Sequence, residues 1–211
     1  MTAASPESRG RRAYRSPRRQ QQAAETRAAI LSAAAEMFAE RGWAATGMRE
    51  VDAAAGVSVE TVYGHVSSKA ELLMAAIDVG VVGDDAPVPL ARRREFAALA
   101  SGSTTERIAA AARLITAINL RIGGLRRALG EAAVSDPVFA QKVVEAEGRR
   151  RTNTQQGVEL VTGGPVGDDV VDTVWAFTGV DVFHLLTDVR GWSVDRYEQW
   201  VRQTLATVLP E

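Results

Sequence analysis

Hydrogen-bonding side chains crowd the short segment between Gly56 and Lys69. They are Ser58, Glu60, Thr61, Tyr63 and His65. Hydroxyl, carboxylate and imidazole groups can donate or accept hydrogen bonds, but the segment lacks the spacing of a nucleophile motif. Its pattern predicts one short helix, and such a helix is unstable alone in water because nucleation is costly. Other elements must therefore hold it and leave its polar side free.

The residues before this segment predict two helices that can hold it. The first runs from about Glu25 to a left-handed end at Gly42, with one apolar face formed by Ile30, Leu31, Ala34 and Phe38. A second, capped by Thr46, ends at Gly56, and Ser58 can cap the third. Two short helices joined at a glycine form a helix-turn-helix, held together by Val51, Val57 and Val62. The polar side of the third helix is then free to enter a DNA major groove.

Residues 27–73 resemble the DNA-binding domain of the TetR (tetracycline-repressor-like) family. The matching residues, in order and spacing, are Phe38, Gly42, Thr46, Ala55, Gly56, Val57, Ser58, Tyr63, Lys69, Leu72 and Leu73. The resemblance implies an all-α protein, with a three-helix DNA-binding domain followed by a helical ligand-binding and dimerisation domain. It implies a repressor that binds a palindromic operator as a homodimer and that a small hydrophobic molecule releases.

The resemblance also implies roles for single residues. Contacts with backbone phosphates are expected of Thr46, Tyr63 and Lys69. The residues nearest the bases are expected to be Ser58, Val59, Glu60 and Thr61, with His65 at the groove edge. Arg27 and the arginines before it are expected to add phosphate or minor-groove contacts.

Two positions depart from the family pattern. Asp52 stands where the family has alanine, and Val66 stands where it has phenylalanine. One hypothesis directs the Asp52 carboxylate at the amides that open the third helix near Ser58. The alternative is a looser crossing of the two short helices. Trp43 is a candidate to fill the space that Val66 leaves.

The rest of the chain predicts further helices and no strands. Three units are expected: a disordered basic arm over residues 1–21, the helix-turn-helix domain over 22–70, and the second domain over 71–211. Capping boxes at Ser68–Glu71 and Ser103–Glu106 open helices, and the second of these helices is predicted to break at Gly123-Gly124. Another helix follows Asp136-Pro137. The last two are expected over about 168–189 and 194–209.

The second domain supplies candidates for a dimer interface and for a ligand cavity. The last two helices have apolar faces suited to a four-helix interface, with Val171, Val174, Thr178, Val182 and Leu185 on one and Tyr197, Trp200, Val201, Leu205 and Val208 on the other. Packing within one subunit is the alternative for these residues. The candidate cavity wall consists of Phe96, Asn119, Ile122, Phe139 and Trp175.

Composition narrows the possible chemistry. The absence of cysteine excludes disulfides, thiol catalysis and cysteine-based metal sites. No apolar run long enough for a membrane helix is expected, and the protein is expected to be cytoplasmic. The net charge of −1 conceals a basic N-terminal segment, in which the single acidic residue Glu7 is outnumbered by six arginines: Arg9, Arg11, Arg12, Arg15, Arg18 and Arg19.

Other functions stay open at this point. His184 has Asp181 and Asp188 on the same helical face, a spacing that suits an ion pair better than a metal site or a catalytic pair. We therefore expect no enzyme activity, no metal and no cofactor. A small-molecule-binding helical protein with lost or weakened DNA recognition is the main alternative. A membrane-surface protein is disfavoured because residues 1–21 lack an apolar face.

Overall fold

The computed structural model describes residues 17–210, and the regular elements in that range are helices without strands. This confirms the all-α prediction. The first four helices are α1 (Pro17–Arg41), α2 (Met48–Ala55), α3 (Val59–His65) and α4 (Lys69–Val82).

The second half begins with a short α5 (Arg94–Ala97) between two 3-10 turns, Leu90–Arg92 and Ala98–Ala100. The remaining helices are α6 (Thr104–Ser135), α7 (Pro137–Thr162), α8 (Asp168–Phe177), α9 (Val180–His184) with a π-helical continuation at Leu185–Val189, and α10 (Val194–Val208). The single helix expected over 168–189 is thus broken. Gly179 separates its two parts and is the N-cap of α9.

Helix α1 begins eight residues before the predicted start at Glu25. Residues 17–21, predicted to be disordered, are therefore helical. Pro17 suits the first helical turn, because a backbone N–H at that position would have no partner within the helix. The glutamines and alanines that follow are good helix formers. The rest of the basic arm lies outside the described residues.

The first core packs α1–α4 against the C-terminal half of α6. Its most buried members are Ile30, Phe38, Val51, Val62, Leu72, Leu73, Leu125 and Leu129. Burial of apolar side chains contributes about 1.5–3 kcal/mol each, so this cluster supplies the support that the short α2 and α3 lack on their own. Since Leu125 and Leu129 belong to α6, this core continues past residue 70, where the predicted domain boundary lies.

The second core lies among α6, α7, α8 and α10, below the short α5. It contains Phe96, Leu99, Ile108, Val158, Val174, Phe183, Tyr197, Val201 and Leu205. Several residues predicted for a dimer interface are members of this core or are buried beside it: Val171, Val174, Thr178, Tyr197, Val201 and Leu205. These side chains serve the fold of one chain and are not available to a partner.

The predicted caps are confirmed in part. Ser103 and Glu106 satisfy each other's backbone amides, and Asp136 caps α7. At α4 the reciprocal half is displaced by one residue, because Glu71 accepts hydrogen bonds from Ser67 rather than from Ser68.

Helix α6 does not break at Gly123-Gly124, so that prediction is wrong. A glycine inside a helix costs about 1 kcal/mol relative to alanine, which tertiary packing can offset. Both glycines allow close approaches instead. A Cβ at Gly124 would lie 2.6 Å from the Cα of Ala39, and one at Gly123 would lie 2.9 Å from Cε1 of His184.

Within residues 17–210, α6 is long and apolar enough to cross a membrane, contrary to expectation. The pair formed by α8 and residues 180–189, bent by 40°, meets the same criterion when taken together. Half of the apolar stretch in α6 is buried inside the fold, which is also the behaviour of a core helix.

Candidate nucleic-acid interface and ligand cavity

The turn between α2 and α3 has the geometry of a helix-turn-helix. Gly56 ends α2 with φ of +68°, a conformation that glycine adopts without steric cost. Ser58 then caps α3, its Oγ accepting a hydrogen bond from the Thr61 amide at 3.3 Å. Val51 and Val62 hold the two helices on α1 from the buried side.

The opposite side of α3 faces solvent and offers hydrogen-bonding groups. Tyr63 is 52% exposed although it is a large aromatic residue, and Ser58 and Glu60 are also exposed. Thr61 and His65 are half-buried on the same helix, and the hydroxyls of Ser58 and Thr61 lie 3.1 Å apart. The side chain of Val59, also predicted near the bases, lies outside the described part of the chain. The backbone amide of Glu60 and the Ser58 hydroxyl lower the Glu60 pKa, so this surface carries a stable negative charge.

Thr46 does not take the role predicted for it. Its side chain is buried, and Oγ1 donates to the carbonyls of Gly42 at 2.8 Å and Met37 at 3.2 Å. The cap of α2 is Gly47, whose amide donates to the Glu50 carboxylate. The hydroxyl of Thr46 thus fixes the loop between α1 and α2.

Lys69 and Arg27 are both engaged within the chain. The ammonium of Lys69 donates to the carbonyl of Trp43 and lies 4.2 Å from the centroid of the Trp43 ring. Burial lowers the Lys69 pKa, and the nearby Glu50 opposes that shift. Arg27 forms an ion pair with Asp85, with its Nε 3.1 Å from the carboxylate. Each side chain uses one N–H donor in these contacts, so a phosphate would be bound by its remaining donors.

The two residues that depart from the family pattern, Asp52 and Val66, are both buried. The carboxylate of Asp52 accepts from the Ala53 amide at 2.7 Å, so the hypothesis that it points at the start of α3 is wrong. Val66 is buried in the first core. Trp43 packs against the same core, with its ring 6.0 Å from Phe38 and 4.8 Å from Phe139.

A cavity of about 570 Å³ lies between α4, α6, α7, α8 and α10. Phe96, Asn119 and Ile122 line it, as the sequence predicts. The Nδ2 of Asn119 donates to the Thr178 carbonyl and to the Tyr197 hydroxyl, each at 3.0 Å. Asn119 is thereby fixed in one orientation on the cavity wall.

Phe139 and Trp175 do not line this cavity, so those two predictions are wrong. Phe139 is buried in the first core against Trp43, because the start of α7 packs beside the DNA-binding unit. Trp175 faces Arg150, whose guanidinium lies 5.0 Å from the centroid of the Trp175 ring. Both errors come from placing large aromatics in the cavity by residue type alone.

The charged residues of the cavity wall were not predicted from the sequence: Asp78, Arg126, Glu147, Arg149 and Arg150. The guanidinium of Arg126 donates to one oxygen of Glu147, and Nε of Arg150 donates to the other at 2.8 Å. The sequence does carry a signal for this arrangement. Arg126 follows Ile122 by four residues on one helical face, and Glu147 and Arg150 are three apart.

His184 is hydrogen-bonded to a carboxylate one helical turn further along the chain. Its Nδ1 lies 2.9 Å from the Asp188 carboxylate, which also accepts from Arg127 at 2.8 Å. Within residues 17–210, no group of three or more His, Asp or Glu side chains is arranged to hold a metal ion.

Comparisons with known proteins agree with this geometry. Residues 30–76 match the model of the family described as bacterial regulatory proteins, tetR family. The HTH-type transcriptional activator FasR of Mycolicibacterium smegmatis is 47% identical over 53 residues, which are 25% of this chain and 24% of FasR. The HTH-type transcriptional regulator TtgR of Pseudomonas putida is 41% identical over 61 residues, 29% of each protein. The matches thus span less than a third of these curated relatives.

Two solved structures share the fold over most of the chain. A transcriptional regulator from Saccharomonospora viridis, in complex with choline, has a TM-score of 0.63 at 20% sequence identity. The match covers 86% of this chain and 96% of that protein. A transcriptional regulator from Rhodococcus has a TM-score of 0.59 at 18% sequence identity, and the match covers 87% of this chain and 95% of that protein. The fold is therefore a helix-turn-helix domain joined to a helical second domain. Over residues 30–76, the chain is similar to the DNA-binding domain of the tetR family.

Proposed function

We propose that this protein is a cytoplasmic transcriptional regulator that binds an operator through α3. The observation that carries the proposal is the exposed hydrogen-bonding face of α3, on which Tyr63 stands 52% exposed while Val62 beside it is buried. A helix that is supported on its buried side in this way fits the major groove, with its first residues at the base edges. The proposal assigns no catalytic residue.

The same proposal includes a homodimer and a palindromic operator. A single helix of this length contacts few bases, and helix-turn-helix proteins gain specificity by binding two half-sites about one helical turn apart. After the buried residues are removed from the predicted interface, four of its members retain exposed surface: Val182, Leu185, Trp200 and Val208. These residues remain our candidates for the contact between subunits.

Repression relieved by a ligand is the third part of the proposal. Ile77 and Asp78 of α4 line the cavity, while Leu72 and Leu73 of the same helix pack in the first core beneath α3. A molecule that shifts α4 therefore changes the support of the DNA-binding unit, provided that it binds one conformation better than the other. The choline complex of the Saccharomonospora viridis protein supports a ligand site in a fold of this kind.

The experiment is selection of bound sequences from a random duplex DNA pool at near-physiological salt. Wild type is compared with Tyr63→Phe, which removes one exposed hydroxyl and keeps the ring. We expect wild type to enrich an inverted repeat and the variant to enrich it less. Failure of wild type to enrich any motif contradicts the proposal.

A ligand-binding protein with weakened DNA recognition is the second candidate. It is favoured by the internal engagement of Thr46 and Lys69, two of the predicted phosphate contacts. Salt dependence separates the candidates, because a protein that neutralises several phosphates loses affinity by orders of magnitude between low and moderate salt. Weak attraction that disappears when residues 1–21 are deleted indicates the second candidate.

A further inference from the structure

The cavity has one charged end and one apolar end. Helices α6 and α7 are antiparallel, since they join at Asp136. Two contacts fix their register: Arg126 donates to Glu147 about ten residues from that junction on each helix, and Nη1 of Arg107 donates to the carbonyl of Leu160 at 3.3 Å near the other end. The cavity extends between these two contacts.

The wall that α6 contributes runs from Ala111 to Arg126, roughly 22 Å at the rise of an α-helix. Around the Ala111 end the lining is apolar, with Leu99, Val158, Val161, Leu205 and Leu209. Charged residues lie only toward the Arg126 end. This separation fits an elongated ligand whose two ends differ in polarity.

The charged end has an excess of positive charge. Arg126, Arg149 and Arg150 face two carboxylates, Asp78 and Glu147. Desolvation in the cavity wall raises the pKa of Asp78, and the opposing effect of Arg149 is weaker. An ionised group that enters an apolar cavity needs a partner of opposite charge, so this end favours an anion.

Hydrogen-bond donors also remain available at this end. A guanidinium has five N–H donors, and Arg126 uses Nη2 on Glu147 while its Nε and Nη1 bond no other described residue. Arg126 is 17% exposed, so these donors are not sealed in the core. Arg150 donates through Nε to Glu147 and through Nη1 to the Trp175 carbonyl at 2.7 Å.

The cavity is poorly suited to a quaternary ammonium group. Such cations are held by cages of several aromatic rings. Among the described residues, Phe96 is the one aromatic side chain on the cavity wall. Phe96 lies beside Leu99 and Gly157, away from the carboxylates.

We propose that the cavity binds an elongated apolar molecule ending in a carboxylate. The carboxylate binds Arg126 and Arg150, and the apolar body lies between α6 and α7 toward Leu209. This inference deepens the ligand site of the proposed function and rests on it for any effect on DNA binding. The binding itself depends only on the cavity.

The test compares three probes of equal chain length by titration calorimetry with the full chain and no DNA. The probes are decanoate, 1-decanol and decyltrimethylammonium, each below its solubility or micelle limit. We expect decanoate to bind at least about tenfold more tightly than the other two, the effect of a charge-assisted hydrogen bond. Equal affinity for acid and alcohol, preference for the ammonium compound, or no binding of decanoate overturns the proposal.

Two variants and a matched control locate the head group. Arg126→Gln is expected to weaken decanoate binding about tenfold while leaving decanol unchanged. Arg127→Gln removes the adjacent arginine, which pairs with Asp188 outside the cavity, and is expected to change neither affinity. Glu147→Gln removes a negative charge and is expected to tighten decanoate binding, a gain that misfolding cannot produce. Equal effects of Arg126→Gln and Arg127→Gln, or weaker binding by Glu147→Gln, overturn the assignment.

Failure of this inference is distinguishable from failure of the proposed function. If decanoate binds as expected but no operator is found, the ligand class stands and the regulator proposal fails. If an operator is found and decanoate does not bind, the regulator proposal stands and the ligand class is wrong.

Discussion

The carboxylate of Glu131 on α6 accepts a hydrogen bond from the backbone amide of Trp43 at 2.8 Å. The carbonyl of the same Trp43 accepts from the ammonium of Lys69 at the start of α4. One residue in the loop between α1 and α2 therefore joins the second domain to the helix that follows α3. The ring of Trp43 adds to this junction through Phe38, Phe139 and the Lys69 cation.

Lys69→Ala tests whether this junction stabilises the fold. Loss of a hydrogen bond to a charged group and of a cation–π contact is expected to lower the free energy of unfolding by about 1–3 kcal/mol. The measurement is urea unfolding. Lys142→Ala is the control, because Lys142 makes no hydrogen bond or ion pair with another described residue. Equal effects of the two substitutions contradict a structural role for Lys69.

Gly124→Ala tests the close contact between α1 and α6. The added Cβ would lie 2.6 Å from the backbone of Ala39, so the helices must separate, and overpacking of this kind costs about 1–3 kcal/mol. Gly130→Ala on the same helix is the control, because nothing lies within 4 Å of its added Cβ. It is expected to stabilise the protein by about 0.5–1 kcal/mol. Thermal unfolding of both variants measures the difference, and a stabilising Gly124→Ala contradicts the close contact.

Local sequence signals predicted the helix-turn-helix well. The turn at Gly56, the cap at Ser58 and the burial of Val51 and Val62 follow from propensity, capping and periodicity within about fifteen residues. These features depend on neighbours in the chain. A single sequence contains enough information to place them.

Features that depend on distant partners were not predicted. The continuity of α6 through Gly123-Gly124 is set by the approach of Ala39 and His184, which adjacent residues do not reveal. The internal bonds of Thr46 depend on the path of the loop back to Met37. The same holds for the cavity: residue type suggested aromatic walls, whereas the antiparallel register of α6 and α7 brings Arg126 and Glu147 together.

Tyr63→Phe tests the hydroxyl that stands most exposed on α3. Since Tyr63 is 52% exposed and bonds no other described side chain, the variant is expected to unfold at the same temperature as wild type. Loss of one phosphate hydrogen bond per subunit, which is two per dimer, is expected to weaken operator binding by at least about tenfold. Fluorescence anisotropy with labelled operator measures the affinity. An unchanged affinity removes the Tyr63 hydroxyl from the interface.

Tyr197→Phe tests the polar group at the centre of the second core. Burial raises the pKa of Tyr197 from about 10 to about 12, and the hydrogen bond from Asn119 only partly opposes this shift. Because the folded pKa lies above the unfolded one, the contribution of the neutral hydroxyl is complete below about pH 10 and is lost as the pH rises to about 12. Over that interval wild type is expected to lose about 2–3 kcal/mol of unfolding free energy more than Tyr197→Phe does.

Urea unfolding at several alkaline pH values measures this difference for Tyr197. Tyr63 is exposed in both proteins, and lysines titrate in both, so their effects cancel in the comparison. Near neutral pH the variant is expected to be only slightly less stable, because Asn119 keeps its bond to the Thr178 carbonyl. Parallel loss of stability by both proteins would show that the hydroxyl of Tyr197 reaches solvent, and hence that α10 packs loosely against α6.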